Sequence, residues 1–85
     1  MKFLLVYDLK SPNQNYDSLY RALACLSAVR ISESCWTISR NNISAFFLKS
    51  YLTQYIDSND ILFIAQIKES SYKNIPIEAI NLLNN

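Results

Sequence analysis

The chain has 85 residues, a formal net charge of +1, two cysteines, and neither histidine nor glycine. Its length allows one domain with a small core, its apolar share of 51% excludes a disordered chain, and its charge excludes a strongly basic nucleic-acid binder while leaving room for a local basic stripe. The missing histidine removes the commonest general base and zinc ligand, two thiols are too few for the usual zinc site, and the missing glycine excludes glycine-rich phosphate loops.

The first element is the run Phe3-Leu4-Leu5-Val6-Tyr7-Asp8-Leu9. Continuous apolar residues of this length predict a strand over 2–9 that is covered on both faces. Asp8 closes the run. A carboxylate is costly to bury, so it belongs at the strand's mouth or against a donor or cation. Lys10-Ser11-Pro12-Asn13-Gln14-Asn15 carries turn chemistry. A helix is predicted over about 16–27 from Leu19, Leu23 and Leu26, with Asn15 or Asp17 accepting from its first free amides. Residues 28–32 read as a short strand, Glu33-Ser34 as a tight connection or bulge, and 35–39 as a strand in which Trp36 and Ile38 alternate with Cys35, Thr37 and Ser39. Arg40-Asn41-Asn42 turns the chain. A second helix is expected over about 43–56, with Phe47, Leu48, Tyr51, Leu52 and Tyr55 as its apolar stripe. Asp57-Ser58-Asn59 stops it, and 60–67 is a second nearly continuous apolar strand. A polar connector over 68–74 leads to a short helix with Pro76 in its first turn. Turns that need a positive φ must use asparagine or aspartate.

The order β-α-β-β-α-β predicts an α+β fold of the ferredoxin-like kind: a four-stranded antiparallel sheet with two helices on one face and a short C-terminal helix. Residues 1–67 form the ferredoxin-like domain, and 68–85 a connector and helix packed on it or on a dimer partner. The first and last strands do not alternate, so the second sheet face needs cover. A homodimer is expected, because a short tail cannot cover a whole sheet. No segment reaches the ~20 apolar residues of a membrane span, and the first apolar run is too short for a signal peptide. A cytoplasmic protein is expected, with Cys25 and Cys35 reduced and in the core.

Tyr7-Asp8-Leu9, Pro12, Tyr16-x-x-Leu19, Glu33-Ser34-Cys35-Trp36, Asp57-Ser58-Asn59-Asp60-x-Leu62-Phe63 and Ile75-Pro76-x-Glu78-Ala79-Ile80 occur in this order along nearly the whole chain. As an ordered set they resemble the SinR-like family, ferredoxin-like relatives of the small CRISPR-associated subunit of spacer acquisition. Toxins of the virulence-associated-protein-D type are similar in the aromatic-Asp-Leu end of the first strand. Against the spacer-acquisition subunit, Ser32 stands where that family has glutamine, and the glycine before Arg30 is missing. The resemblance implies a nucleic-acid-related function and a candidate metal-dependent endoribonuclease.

Asp8 is the candidate catalytic and metal-binding residue. Magnesium wants six oxygens and usually takes one or two carboxylates. A two-fold axis near the strand end would gather two copies of Asp8 around one ion, which could then activate water for phosphodiester cleavage. The simpler role for Asp8 is to cap the following turn by accepting from the Lys10 or Ser11 amide. Lys10, Arg30 and Arg40 are the candidate contacts to RNA or DNA phosphates, set against ordinary solvated charge and edge protection. Ser11 and Ser34 read as turn and bulge residues, and Asp57 with Asp60 as turn formers. Of the tyrosines, Tyr16 and Tyr72 are expected to be exposed, too few for a stacking platform. The competing reading is a non-catalytic dimeric adaptor, regulator or mobile-element inhibitor acting through protein–protein contacts.

Overall fold

Alternate residues of a strand face opposite sides of a sheet, and this sets how the apolar runs are used. A computed structural model of the chain describes residues 1–11 and 15–85; the Pro12-Asn13-Gln14 part of the expected turn lies outside them. The elements are β1 (Lys2–Asp8), α1 (Asp17–Cys25), β2 (Val29–Ser32), β3 (Cys35–Ser39), α2 (Ala45–Thr53), β4 (Ile61–Ile67) and α3 (Ile77–Asn84). The strands form one antiparallel sheet in the order β2-β3-β1-β4. This is the ferredoxin-like α+β arrangement the element order predicts, with β1 and β3 in the centre.

Phe3, Leu5 and Tyr7 point to the helix side. They join Ile38 of β3, Leu19 and Leu23 of α1, and Leu48 and Leu52 of α2 in the buried core. Full burial of such a side chain contributes about 1.5–3 kcal/mol, so a handful of them carries a domain this small. Directly opposed residues share a face. The register pairs Val6 with Cys35 and Phe63, Leu4 with Thr37 and Ala65, and Asp8 with Ile61, so these line the second face. The chain's own α3 packs against β2 and β3. Ala79 of α3 and Thr37 of β3 are fully buried, and the Thr37 hydroxyl donates to the Phe3 carbonyl at 3.0 Å. The half of this face nearer β4 stays open: Val6 is 37% exposed, Ile61 53% and Phe63 60%.

Both main helices are shorter than expected. α1 ends in a Schellman turn, with the Ser27 amide on the Ala24 carbonyl at 2.9 Å and the Ala28 amide on the Leu23 carbonyl at 3.0 Å. Ser27 takes the left-handed conformation (φ 57°) usual for glycine; Asn42 (φ 60°) and Asn74 (φ 62°) are the other left-handed residues among those described. Asparagine was expected at such corners and serine was not. α2 starts after Ser44, whose hydroxyl accepts from the Phe47 amide at 3.0 Å. Pro76 precedes α3 rather than opening its first turn. Cys25, expected in the core, is exposed, and Cys35 is half-buried. Phe47, placed on the buried stripe, is 52% exposed, while Leu48 and Leu52 are fully buried and Tyr51 and Tyr55 pack half-buried against the core. Tyr16, expected to be exposed, is buried.

Candidate functional site

Asp8 ends β1 with its carboxylate in solvent, and its Oδ2 accepts from the Lys10 ammonium at 2.6 Å. An exposed pair of this kind contributes at most about 1 kcal/mol, so it orients both groups more than it stabilises the fold. The Lys10 amide, one of the two donors the capping role offered, does not go to Asp8. That amide donates instead to Asp60 Oδ1 at 2.7 Å.

Asp60 is the organiser of this end of the molecule. Its Oδ2 accepts from the Asp57 amide at 2.7 Å, and the Tyr16 hydroxyl lies 3.1 and 3.0 Å from its two oxygens. Partial burial opposes ionisation of Asp60, but the Lys10 and Asp57 amides and the Tyr16 hydroxyl outweigh it and hold the carboxyl below its ordinary range. Burial and the neighbouring Asp60 push the Tyr16 phenol up. The turn-forming role expected of Asp60 is therefore met. Its ties also reach β1 and α1, and so position Lys10 beside Asp8.

Next to Asp8 lies a cleft of about 220 Å³ lined by Tyr7, Asp8, Tyr20, Arg30, Glu33 and Ser34 among others. Tyr7 Oη is its centre. It accepts from Arg30 Nη2 at 3.1 Å and from Trp36 Nε1 at 3.0 Å, and donates to the Glu33 carbonyl at 3.1 Å. Arg30 Nη2 also donates to the Glu33 carbonyl at 2.9 Å. The guanidinium carbon sits 5.3 Å from the Tyr20 ring centre and 5.0 Å from that of Trp36, in cation–π range. The two rings are stacked at 6.4 Å. A register shift between Arg30 and Ser32 in the β2–β3 pairing twists the strand where Arg30 leaves it. Desolvation works against the Arg30 charge, but the Tyr7 and Tyr20 hydroxyls more than offset it and the guanidinium pKa is raised. Desolvation, followed by Tyr7, pushes the Tyr20 phenol up.

Of the sequence-predicted contacts, Lys10 and Arg30 thus flank the Asp8 end. Arg40 does not. Its amide donates to the Met1 carbonyl at 2.9 Å, beyond the opposite end of β1, which puts it about 20 Å from Asp8 at ~3.3 Å per strand residue. Ser34 lines the cleft from the turn between β2 and β3. The sequence reading does not include Tyr7 and Tyr20 as cleft residues, nor Trp36 as the donor behind Tyr7. The available signal was Tyr7 beside Asp8, one residue from the strand's mouth.

A magnesium ion needs more than one chain offers here. Among the described residues no cluster of three or more Asp, Glu or Cys side chains forms, and the Asp8 carboxylate already holds an ammonium on Oδ2. The described residues of a single chain do not fit the ion. No protein-family model matches the chain. Among the described residues, no helix is long and apolar enough to cross a membrane.

Proposed function

We propose that this chain is a small homodimeric, nucleic-acid-related protein of the SinR-like kind. It acts as a binding module whose working end is the Asp8 end of the sheet. The observation that supports this reading is the open half of the second sheet face, where Val6, Ile61 and Phe63 stand exposed on the same face as Asp8. β4 is also an edge strand of seven residues with no charge and no proline, an unprotected edge of the kind that pairs with another chain. A second copy seated there on a two-fold axis covers the apolar strip. It also brings two sets of Asp8 and Lys10 towards one mouth, with the lysines available to phosphates.

The same adjacency favours a second reading, the metal-dependent endoribonuclease. Two Asp8 carboxylates gathered by the dimer would supply what one chain lacks. Light scattering on the wild type and Phe63→Asp tests the dimer: a dimeric wild type and a monomeric variant are expected, and a wild type that stays monomeric at high concentration overturns the reading. Calorimetry with magnesium chloride then separates the two functions. Binding of about one ion per dimer, lost in both Asp8→Asn and Phe63→Asp, selects the endoribonuclease. An intact dimer that binds no ion selects the binding module.

A further inference from the structure

We infer that the outer flank of α2 is a docking surface for single-stranded nucleic acid. This rests on the nucleic-acid-related reading above and adds a second surface to the Asp8 end, none of whose residues it uses. The buried residues of α2 are Leu48 and Leu52. Phe47 and Tyr51 of α2 and Tyr55 just after it follow one another at four-residue spacing; Tyr51 and Tyr55 are half-buried against the core, and Phe47 stands exposed at the start of the row. The Phe47 and Tyr51 rings are parallel within 4° at 6.3 Å, and Tyr55 continues the row edge-on to Tyr51 at 5.7 Å. Phe47 and Tyr51 stand about 6 Å apart along the helix at ~1.5 Å per residue, and Tyr55 follows the end of α2. Phe46 is 71% exposed beside it, with the Lys49 ammonium 4.6 Å from its ring centre. Two adjacent phenylalanines left in water contribute nothing to the core and make a patch that calls for a partner.

Charge identifies the partner. Between Glu33 and Asp57 the sequence holds no carboxylate, while Arg40 and Lys49 lie within that span. Arg40 shares a groove of about 500 Å³ with Phe47, Asn42 and Ser44 at the start of the row. Arg21 of α1 shares a second groove, of about 210 Å³, with Tyr51 and Tyr55 at its end. Cations are therefore spaced along a line of rings. This is the pattern that binds a single strand, with bases stacked on aromatics and phosphates held by neighbouring charges. A duplex keeps its base faces hidden and cannot use the rings. The net charge of +1 does not oppose this, because the carboxylates lie outside the 34–56 span.

Fluorescence anisotropy with labelled oligothymidylate and oligouridylate of about twelve nucleotides tests the assignment. The wild type is expected to bind saturably at low salt and to bind a duplex of equal length far more weakly. Phe46→Ala and Phe47→Ala are each expected to weaken binding about tenfold. Arg40→Gln with Lys49→Gln, a surface pair that leaves the fold intact by circular dichroism, is expected to flatten the plot of log affinity against log salt by about 1.4. Phe63→Asp retains the binding, which separates this surface from the dimer. Binding that is absent at low salt, or unchanged in the phenylalanine variants, overturns the assignment. Self-association of the wild type that disappears in Phe47→Ala also overturns it and makes the flank a protein interface.

Discussion

Removal of one oxygen atom from Tyr7 is the sharpest probe of the cleft. Tyr7→Phe keeps the ring, which is almost fully buried, so no cavity opens. It deletes an acceptor for Arg30 Nη2 and Trp36 Nε1 and a donor to the Glu33 carbonyl. A net hydrogen bond contributes about 1 kcal/mol, more when a charge is involved and when the abandoned partner stays out of water. Arg30 keeps its bond to the Glu33 carbonyl and can reach solvent, so its share is small. The indole N–H of Trp36, whose bond to Tyr7 is part-buried, loses its hydrogen-bond partner. The expected loss is about 2 kcal/mol, or about 8–16 °C in melting temperature for a domain of this size. Urea unfolding followed by fluorescence of Trp36, the single tryptophan, gives both the loss and, from the emission of the folded state, the change around the indole. Tyr72→Phe serves as reference, since its hydroxyl makes an exposed bond to Asn84 at 3.2 Å, and it should stay within about 0.5 kcal/mol of wild type. If Tyr7→Phe also stays within that margin, the Tyr7 network does not hold the cleft and the reasoning fails.

Asp60 sets an expectation for acid. Its folded pKa is lowered, so the unfolded chain binds the proton more readily; the contribution is complete above the unfolded value of about 3.9 and is lost as pH falls through the folded one. Thermal melts from neutral pH downward should therefore show wild type losing stability more steeply than Asp60→Asn below about pH 4, and parallel curves would remove Asp60 from its organising role. Ser44→Ala removes the cap on the Phe47 amide and should cost about 1 kcal/mol in urea unfolding; it should also fray the start of the α2 row and weaken oligonucleotide binding.

The fold was legible because its signals are local. The unbroken apolar runs of β1 and β4, the leucine spacing of α1 and the turn residues between them determine element type and order, and the strand order follows from that. Errors arose where a residue's fate depends on a partner distant in sequence. Tyr16 is buried because its hydroxyl meets Asp60, 44 positions away. Arg30 reads as an edge charge, yet it reaches across the sheet to Tyr7, 23 positions away. On α2, every fourth residue from 47 is aromatic and every fourth from 48 is leucine. Periodicity shows that two rows exist, but not that Leu48 and Leu52 are fully buried while Tyr51 and Tyr55 are half-buried against the core and Phe47 is left exposed. Asp8 was legible as an exposed strand end, but its pairing with Lys10 in place of the turn amide depended on Asp60 taking that amide first.

The chain turns its corners without glycine. Ser27, Asn42 and Asn74 hold left-handed conformations at the joints before β2, α2 and α3, and each carries a side chain that narrows the choices of the unfolded chain. Such joints make poor hinges, because a swing through other backbone angles meets a steric wall that glycine would not raise. A partner that docks beside these three joints therefore meets backbone already in its final shape. Association with this protein should proceed in one kinetic step, its rate set by encounter and charge rather than by rearrangement.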